Sequence, residues 1–163
     1  VTGSRTTGPI AFVDCVTYKS KSVDGPHHRW ATGLLFDNLK VGDLRVENRR
    51  NSGTGHGWAG AQVMFWNCES NNLVCDTAAT AMSWSVGCIH KNKYRLKKAE
   101  PEGMWQSVNE HVYPRSMYYS QLYERLGPEG INNVMHPKQA EGTIWDVLLE
   151  WKGEGDLKDY LDK

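Results

Sequence analysis

From Gly8 to about Cys88 the apolar, β-branched and aromatic residues come in short runs, alternating with polar ones and broken by Gly, Asn, Asp and Ser. Alternation with period two is the signature of a half-buried strand. It predicts strands at Ile10 to Thr17, Ala31 to Asp37, Asp43 to Asn48, Gln62 to Glu69, Leu73 to Asp76 and Met82 to Ile89. Several runs share an ending: Phe12-Val13-Asp14-Cys15, Leu35-Phe36-Asp37-Asn38, Val46-Glu47-Asn48 and Phe65-Trp66-Asn67-Cys68. Aligning Cys15, Asn38, Cys68 and Cys88 gives steps of 23, 30 and 20 residues. Steps of this size suggest the coils of a β-solenoid, with Asn, Cys and aliphatic ladders inside. The longest step contains an insertion at Asn51 to Gly60, and in repeat folds insertions map to loops on a face that often binds ligand.

Beyond His90 the pattern changes. Lys91 to Lys98 is a basic run, read as a solvated edge or connection. Met117, Tyr118, Leu122 and Leu126 then recur at helical spacing and Gly127 follows, predicting an amphipathic helix of about three turns that packs on the strands and caps their open end. Thr143 to Trp151 reads as a short helix or a strand, and Gly153 to Lys163 as a charged, loosely attached tail. The organisation expected is one structural unit, with strands over 1–98 and a C-terminal helical cap and tail over 99–163.

Composition narrows the function classes. Lys plus Arg equals Asp plus Glu at 19 each, so no global field attracts nucleic acid or an anionic membrane. No apolar run approaches the roughly 20 residues that span a bilayer. The chain lacks an initiator Met and opens on polar residues, which suggests a processed product or the C-terminal portion of a longer protein. The cysteines Cys15, Cys68, Cys75 and Cys88 contain no C-x-x-C pair and read as buried thiols rather than as a zinc ribbon or disulfide framework.

Candidate chemistry concentrates between Gly25 and Cys68, which holds three of the six histidines and three of the seven tryptophans. Gly25-Pro26 favours a turn that exposes His27, His28 and Arg29. If the segment then enters a strand, His27 and Arg29 share one face and His28 and Trp30 the other. His56, between Gly55 and Gly57 and followed by Trp58, offers an imidazole beside an indole that can serve as a sugar platform. Asn48-Arg49-Arg50-Asn51 brings two arginines to the end of a strand, where Arg49 can clamp a carboxylate. No H-E-x-x-H occurs, and adjacent histidines are the wrong spacing for a helical zinc site, so no metal site is assigned. Calcium held by Asp14, Asp37, Glu47 or Asn67 is the alternative left open, since hard oxygen ligands suit it.

The segments Gly25 to Gly33, Phe36 to Asn38, Asn48 to Gly53, Gly55 to Gln62 and Phe65 to Cys68 resemble the C-terminal part of secreted right-handed parallel β-helix proteins of the pectate lyase-like superfamily. Trp105-Gln106-Ser107 and Pro114 to Gly127 resemble the helical ending of the same proteins. The resemblance implies a mainly β fold, a right-handed parallel β-helix with a C-terminal helical cap, in a secreted or extracellular protein. It implies action on an acidic polysaccharide by β-elimination, with the missing N-terminal part of the same protein as a partner in forming the groove. The chemistry of the residues then suggests His28 or His56 as base, Arg29 or Arg49 as carboxylate clamp, and Trp58, with His27, Asn48 and Asn51, as substrate contacts. The alternative is a non-catalytic carbohydrate-binding or cell-surface module.

Overall fold

The computed structural model describes residues 3–93 and 100–163. Among the described residues eight strands are formed: β1 (Thr7–Val13), β2 (Thr32–Asp37), β3 (Lys40–Val46), β4 (Ala61–Trp66), β5 (Glu69–Cys75), β6 (Trp84–Val86), β7 (Ile89–Lys93) and β8 (Met104–Gln106). Four helices follow: α1 (Met117–Asn132), α2 (Pro137–Glu141), α3 (Trp145–Glu150) and α4 (Leu157–Leu161). All sheet pairing is parallel. One sheet has the order β1-β2-β4-β6-β8 and the other β3-β5-β7, so the chain passes back and forth between them.

Period-two alternation explains the core. In β2 and β4, Leu34, Phe36, Val63 and Phe65 face inward, while Leu44, Val46, Leu73 and Cys75 of β3 and β5 meet them from the other sheet. Parallel register stacks like on like. Phe12 pairs with Phe36 and Phe36 with Phe65, with ring centroids 5.1 and 5.5 Å apart. Each stacked ring removes apolar surface from water that a single strand would leave exposed.

The expected mainly β fold, a right-handed parallel β-helix solenoid with one helical cap, is corrected. The observed chain is an α/β arrangement of two small parallel sheets, of five and three strands, with four short helices. Its physical reason lies in the second half of the sequence. Past β8, strand alternation gives way to helical spacing, and the sheets stop growing while helices cover their side. The register also differs from the expected one. Asp37 pairs with Trp66 and Trp66 with Val86, which puts Asn38 in line with Asn67 and Gly87, one residue away from the cysteines. Asp14, Asn38, Asn67 and Gly87, with Ser107, all have positive φ, from 49 to 68°. They form the bend that follows each strand of the larger sheet, a conformation for which Asn, Asp and Gly are the best suited residues.

This row of bends is a clamp for the chain entering α1. Asn67 Nδ2 donates to the carbonyls of Val112 and Arg115 at 2.8 and 2.9 Å, and its Oδ1 accepts from Val112 N at 2.8 Å. Asp37 accepts from Asn38 Nδ2, Ser116 Oγ and Tyr118 N at 2.7 to 2.8 Å, and Asp14 accepts from Arg115 and Gln139. The oxygens of Asp14, Asp37 and Asn67, considered above for calcium, are thus taken by protein donors. Ser116 also caps α1, accepting from Tyr119 N. The helix begins where expected, breaks at Gly127 before Pro128, and resumes to Asn132. It is fixed at the side of the larger sheet, where the bends are, rather than over an open end. Thr143 to Trp151 resolves as a helix, α3, whose Trp145 is buried and donates to the Asn38 carbonyl. The four cysteines are free thiols, and all but Cys15 are buried. Residues 94–99 of the basic run lie outside the described residues.

Candidate functional site

Two loops build the site. The first, from Gly25 to Ala31, leads into β2; the second, from Glu47 to Gly60, leads from β3 to β4. Because Thr32 pairs with Ala61, the ends of both loops are set side by side. Backbone bonds join them, from Trp30 N to the Trp58 carbonyl at 3.0 Å and from Ala61 N to the Ala31 carbonyl at 2.9 Å. Within the second loop, Asn48 and Trp58 form an antiparallel bridge, with Arg49 N donating to the Gly57 carbonyl and Ala59 N to that of Glu47. Ser52 closes the tip by accepting from Gly55 N and His56 N.

This geometry brings His27, His28 and His56 together. Their ring centroids are 4.9 Å (His27 to His28), 4.9 Å (His27 to His56) and 4.6 Å (His28 to His56) apart. His27 and His28 do not split onto opposite faces as an extended strand would require. The segment is a turn until Thr32, with Trp30 at φ 60°, so consecutive rings reach the same place. His56 is buried and the other two are half-buried.

Arg49 organises the cluster. Its Nη1 donates to the His27 carbonyl at 2.9 Å and lies 2.8 Å from His56 Nδ1. A guanidinium has donors only, so His56 Nδ1 accepts and its proton sits on Nε2. Removal from water is the first cause that holds the His56 ring below the usual histidine range, followed by the positive charge of Arg49, then His28 and Arg29. His27 is lowered in the same way, by burial first and then by Arg49, His28 and His56. Both rings are therefore neutral at pH 7, ready to donate or accept hydrogen bonds without a fixed charge.

Three imidazoles with nitrogens within 4.8 Å of one another could hold a transition metal. The Arg49 contact opposes it. A ligating histidine needs a lone pair toward the metal and a proton on the other nitrogen, whereas His56 presents its lone pair to a guanidinium. Binding a cation would require Arg49 to withdraw, so the cluster as arranged is suited to an anionic or neutral polar ligand.

The remaining expected residues are distributed unevenly. Trp58 is half-buried in the loop that carries His56, and Trp30, 52 % exposed, is joined to it by the backbone bond between the loops. Arg29 is exposed, with its charge near enough to affect His56. Asn48 is not brought to the histidines. Strand alternation turns it and Arg50 the other way, where both bond Glu100 at 3.0 to 3.2 Å. Asn51 is exposed at the loop tip. Glu100, 52 positions from Asn48, left no local signal of its partnership. No protein-family model, no curated protein and no solved structure matches this chain.

Proposed function

We propose that the two loops bind an acidic polysaccharide and open it by β-elimination, with His28 as the base. The observation that carries this reading is the set of three imidazoles 4.6 to 4.9 Å apart, with Arg49 bonded to His56. That bond occupies the lone pair of His56, so the base role falls to His28 and His56 becomes a hydrogen-bond donor through Nε2–H. The resemblance of the two His-containing motifs to polysaccharide-active proteins supplies the substrate class, and the indoles of Trp30 and Trp58, carried by the same two loops, suit sugar rings.

In the step proposed, His28 takes the proton from C5 of a uronate. Negative charge spreads onto the C6 carboxylate, where His56 Nε2–H and the Arg29 guanidinium stabilise it. The C4–O bond then breaks, a C4=C5 double bond forms, and the proton held by His28 passes to the departing oxygen. Proton transfer of this kind contributes about 10²- to 10⁴-fold. Incubation with a panel of uronate polysaccharides should give the ultraviolet absorbance of an unsaturated product, and His28→Ala should lower it by about that factor. Quenching of tryptophan fluorescence with no product from any polymer would replace this reading by the non-catalytic carbohydrate-binding one.

A further inference from the structure

Arg49 has a second side. Its Nη1 meets the histidine loops, and among the described residues its Nε and Nη2 make no hydrogen bond. Arg49 also lines a groove of about 470 Å³, together with Lys21, Asp43, Arg45 and Glu47. The groove has a defined origin. Leu44 and Val46 of β3 point into the core, so Asp43, Arg45 and Glu47 point outward and Arg49 continues that row past the strand end. The opposite wall is the loop at Ser20 to Val23. It is held beside β3 by Asp24 N to the Asp43 carbonyl at 2.7 Å and Arg45 N to the Asp24 carbonyl at 3.0 Å.

Charges in the groove are not equally available. Arg45 is paired to Asp43 at 2.6 Å, and Asp43 also accepts from Asn72 at 2.6 Å. Lys21 is exposed and, among the described residues, makes no ion pair. Glu47 is buried and engaged elsewhere, so the groove offers the Lys21 ammonium on one wall and the guanidinium of Arg49 at its end.

We propose that this groove is a subsite for the carboxylate of a second uronate unit, and that Arg49 joins it to the histidine cluster. It rests on the acidic-polysaccharide reading above and adds a binding position that reading does not contain. A carboxylate takes two donors of one guanidinium side by side, which the Nε and Nη2 edge provides. Lys21 contributes a point charge from the facing loop. An anion on that edge offsets the positive charge that Arg49 directs at the imidazoles. Filling the groove therefore makes His27 and His56 easier to protonate, linking occupancy of the subsite to the proton affinity of the cluster.

The test is calorimetric titration of a galacturonate tetramer, with a neutral galactose tetramer for comparison, into the whole chain, Lys21→Glu and Lys152→Glu. Lys152 is exposed and far along the chain. Charge reversal at Lys21 should weaken galacturonate binding about tenfold and leave the control unchanged. In a histidine titration by NMR, saturating galacturonate should move His27 and His56 upward in pH. Equal binding by wild type and Lys21→Glu, or an unmoved pair of histidines, overturns the subsite. The two readings fail separately. If binding follows this pattern and no polymer yields unsaturated product, elimination falls and the subsite stands. If product forms and Lys21→Glu binds as wild type, the subsite falls. If no uronate binds at all, both fall.

Discussion

Gly53 and Gly57 provide an internally controlled perturbation of the site. Both lie in the loop that carries His56, and both have φ of +57°. Alanine at either position pays the same backbone cost for the left-handed region, roughly 1 kcal/mol. The surroundings differ. A Cβ at Gly57 meets nothing within 4 Å, whereas one at Gly53 would sit 2.7 Å from His56 Cε1 and closer still to Nε2. Ordinary contact begins at 3.4 Å, so the ring would have to retreat by more than 0.7 Å. A displacement of that size takes Nδ1 out of its 2.8 Å alignment with Arg49 and breaks the hydrogen bond. Loss of a hydrogen bond to a charged group costs about 1.5 to 3 kcal/mol. Urea unfolding should therefore show Gly57→Ala destabilised by about 1 kcal/mol and Gly53→Ala by about 3 kcal/mol. By NMR, the His56 titration should rise toward 6.5 in Gly53→Ala only, because only there does the ring leave the guanidinium. Equal stabilities, or an unchanged His56 in Gly53→Ala, would refute the claim that Arg49 holds this imidazole.

Three further outcomes follow from the same contacts. Asn67→Ala removes the side-chain partner of both Val112 N and the Val112 carbonyl and puts alanine at φ 50°. It should cost about 3 kcal/mol, while Asn67→Gly, free of the backbone strain, should be about 1 kcal/mol more stable than alanine in urea melts. His27 and His56 have folded pKa values below the unfolded value of 6.5, so the unfolded chain binds more protons beneath it. Their contribution to stability is present above pH 6.5 and lost as the pH falls, and a His27→Gln/His56→Gln double variant should show a shallower loss between pH 7.5 and 5.5 in urea midpoints. Arg49→Met frees the His56 Nδ1 lone pair and removes a positive charge, so zinc competed against a chromophoric chelator should bind at least about tenfold more tightly than to the wild type. No gain would mean that the three rings cannot converge on an ion.

What the sequence made legible follows from how local each signal is. Strand positions could be read because burial alternates within a single strand, as at Leu34 and Phe36 or Val63 and Phe65. The start of α1 was marked by the helical spacing that begins at Met117. Register was harder. Asn38 and the cysteines look equivalent in sequence, and only pairing of neighbouring strands shows that Asn38 belongs with Asn67 and Gly87. The α/β balance was missed because the four helices are held by scattered partners, such as Arg115 on Asp14, 101 residues away. At the site, the meeting of His27, His28 and His56 followed from two loops entering adjacent strands. The face assignment failed because it presumed an extended strand where Trp30 makes a turn. The groove beside Arg49 had no sequence signal, since it depends on the loop at Ser20 to Val23 being held beside β3.

The residue types that first draw attention are the histidines, yet the arrangement makes Arg49 the residue on which their chemistry depends. Three imidazoles placed together are ambiguous, since neutral rings bind metals, protonated rings bind anions, and either can move protons. A guanidinium against His56 Nδ1 removes much of that ambiguity, because it fixes one tautomer, lowers the proton affinity of two rings and repels a cation. Strand geometry puts Arg49 there, as the last member of an outward row that starts at Asp43. Lysine could not replace it. A single ammonium can reach the His27 carbonyl or His56, but lacks the planar edge that would remain for a ligand on the other side. Arg49→Lys should accordingly retain the fold, with a smaller loss in urea than Arg49→Met, and still lose the upward movement of His27 and His56 when a galacturonate tetramer is added. A lysine variant that keeps that movement would show that the charge alone, and not the two-sided fork, connects the groove to the histidines.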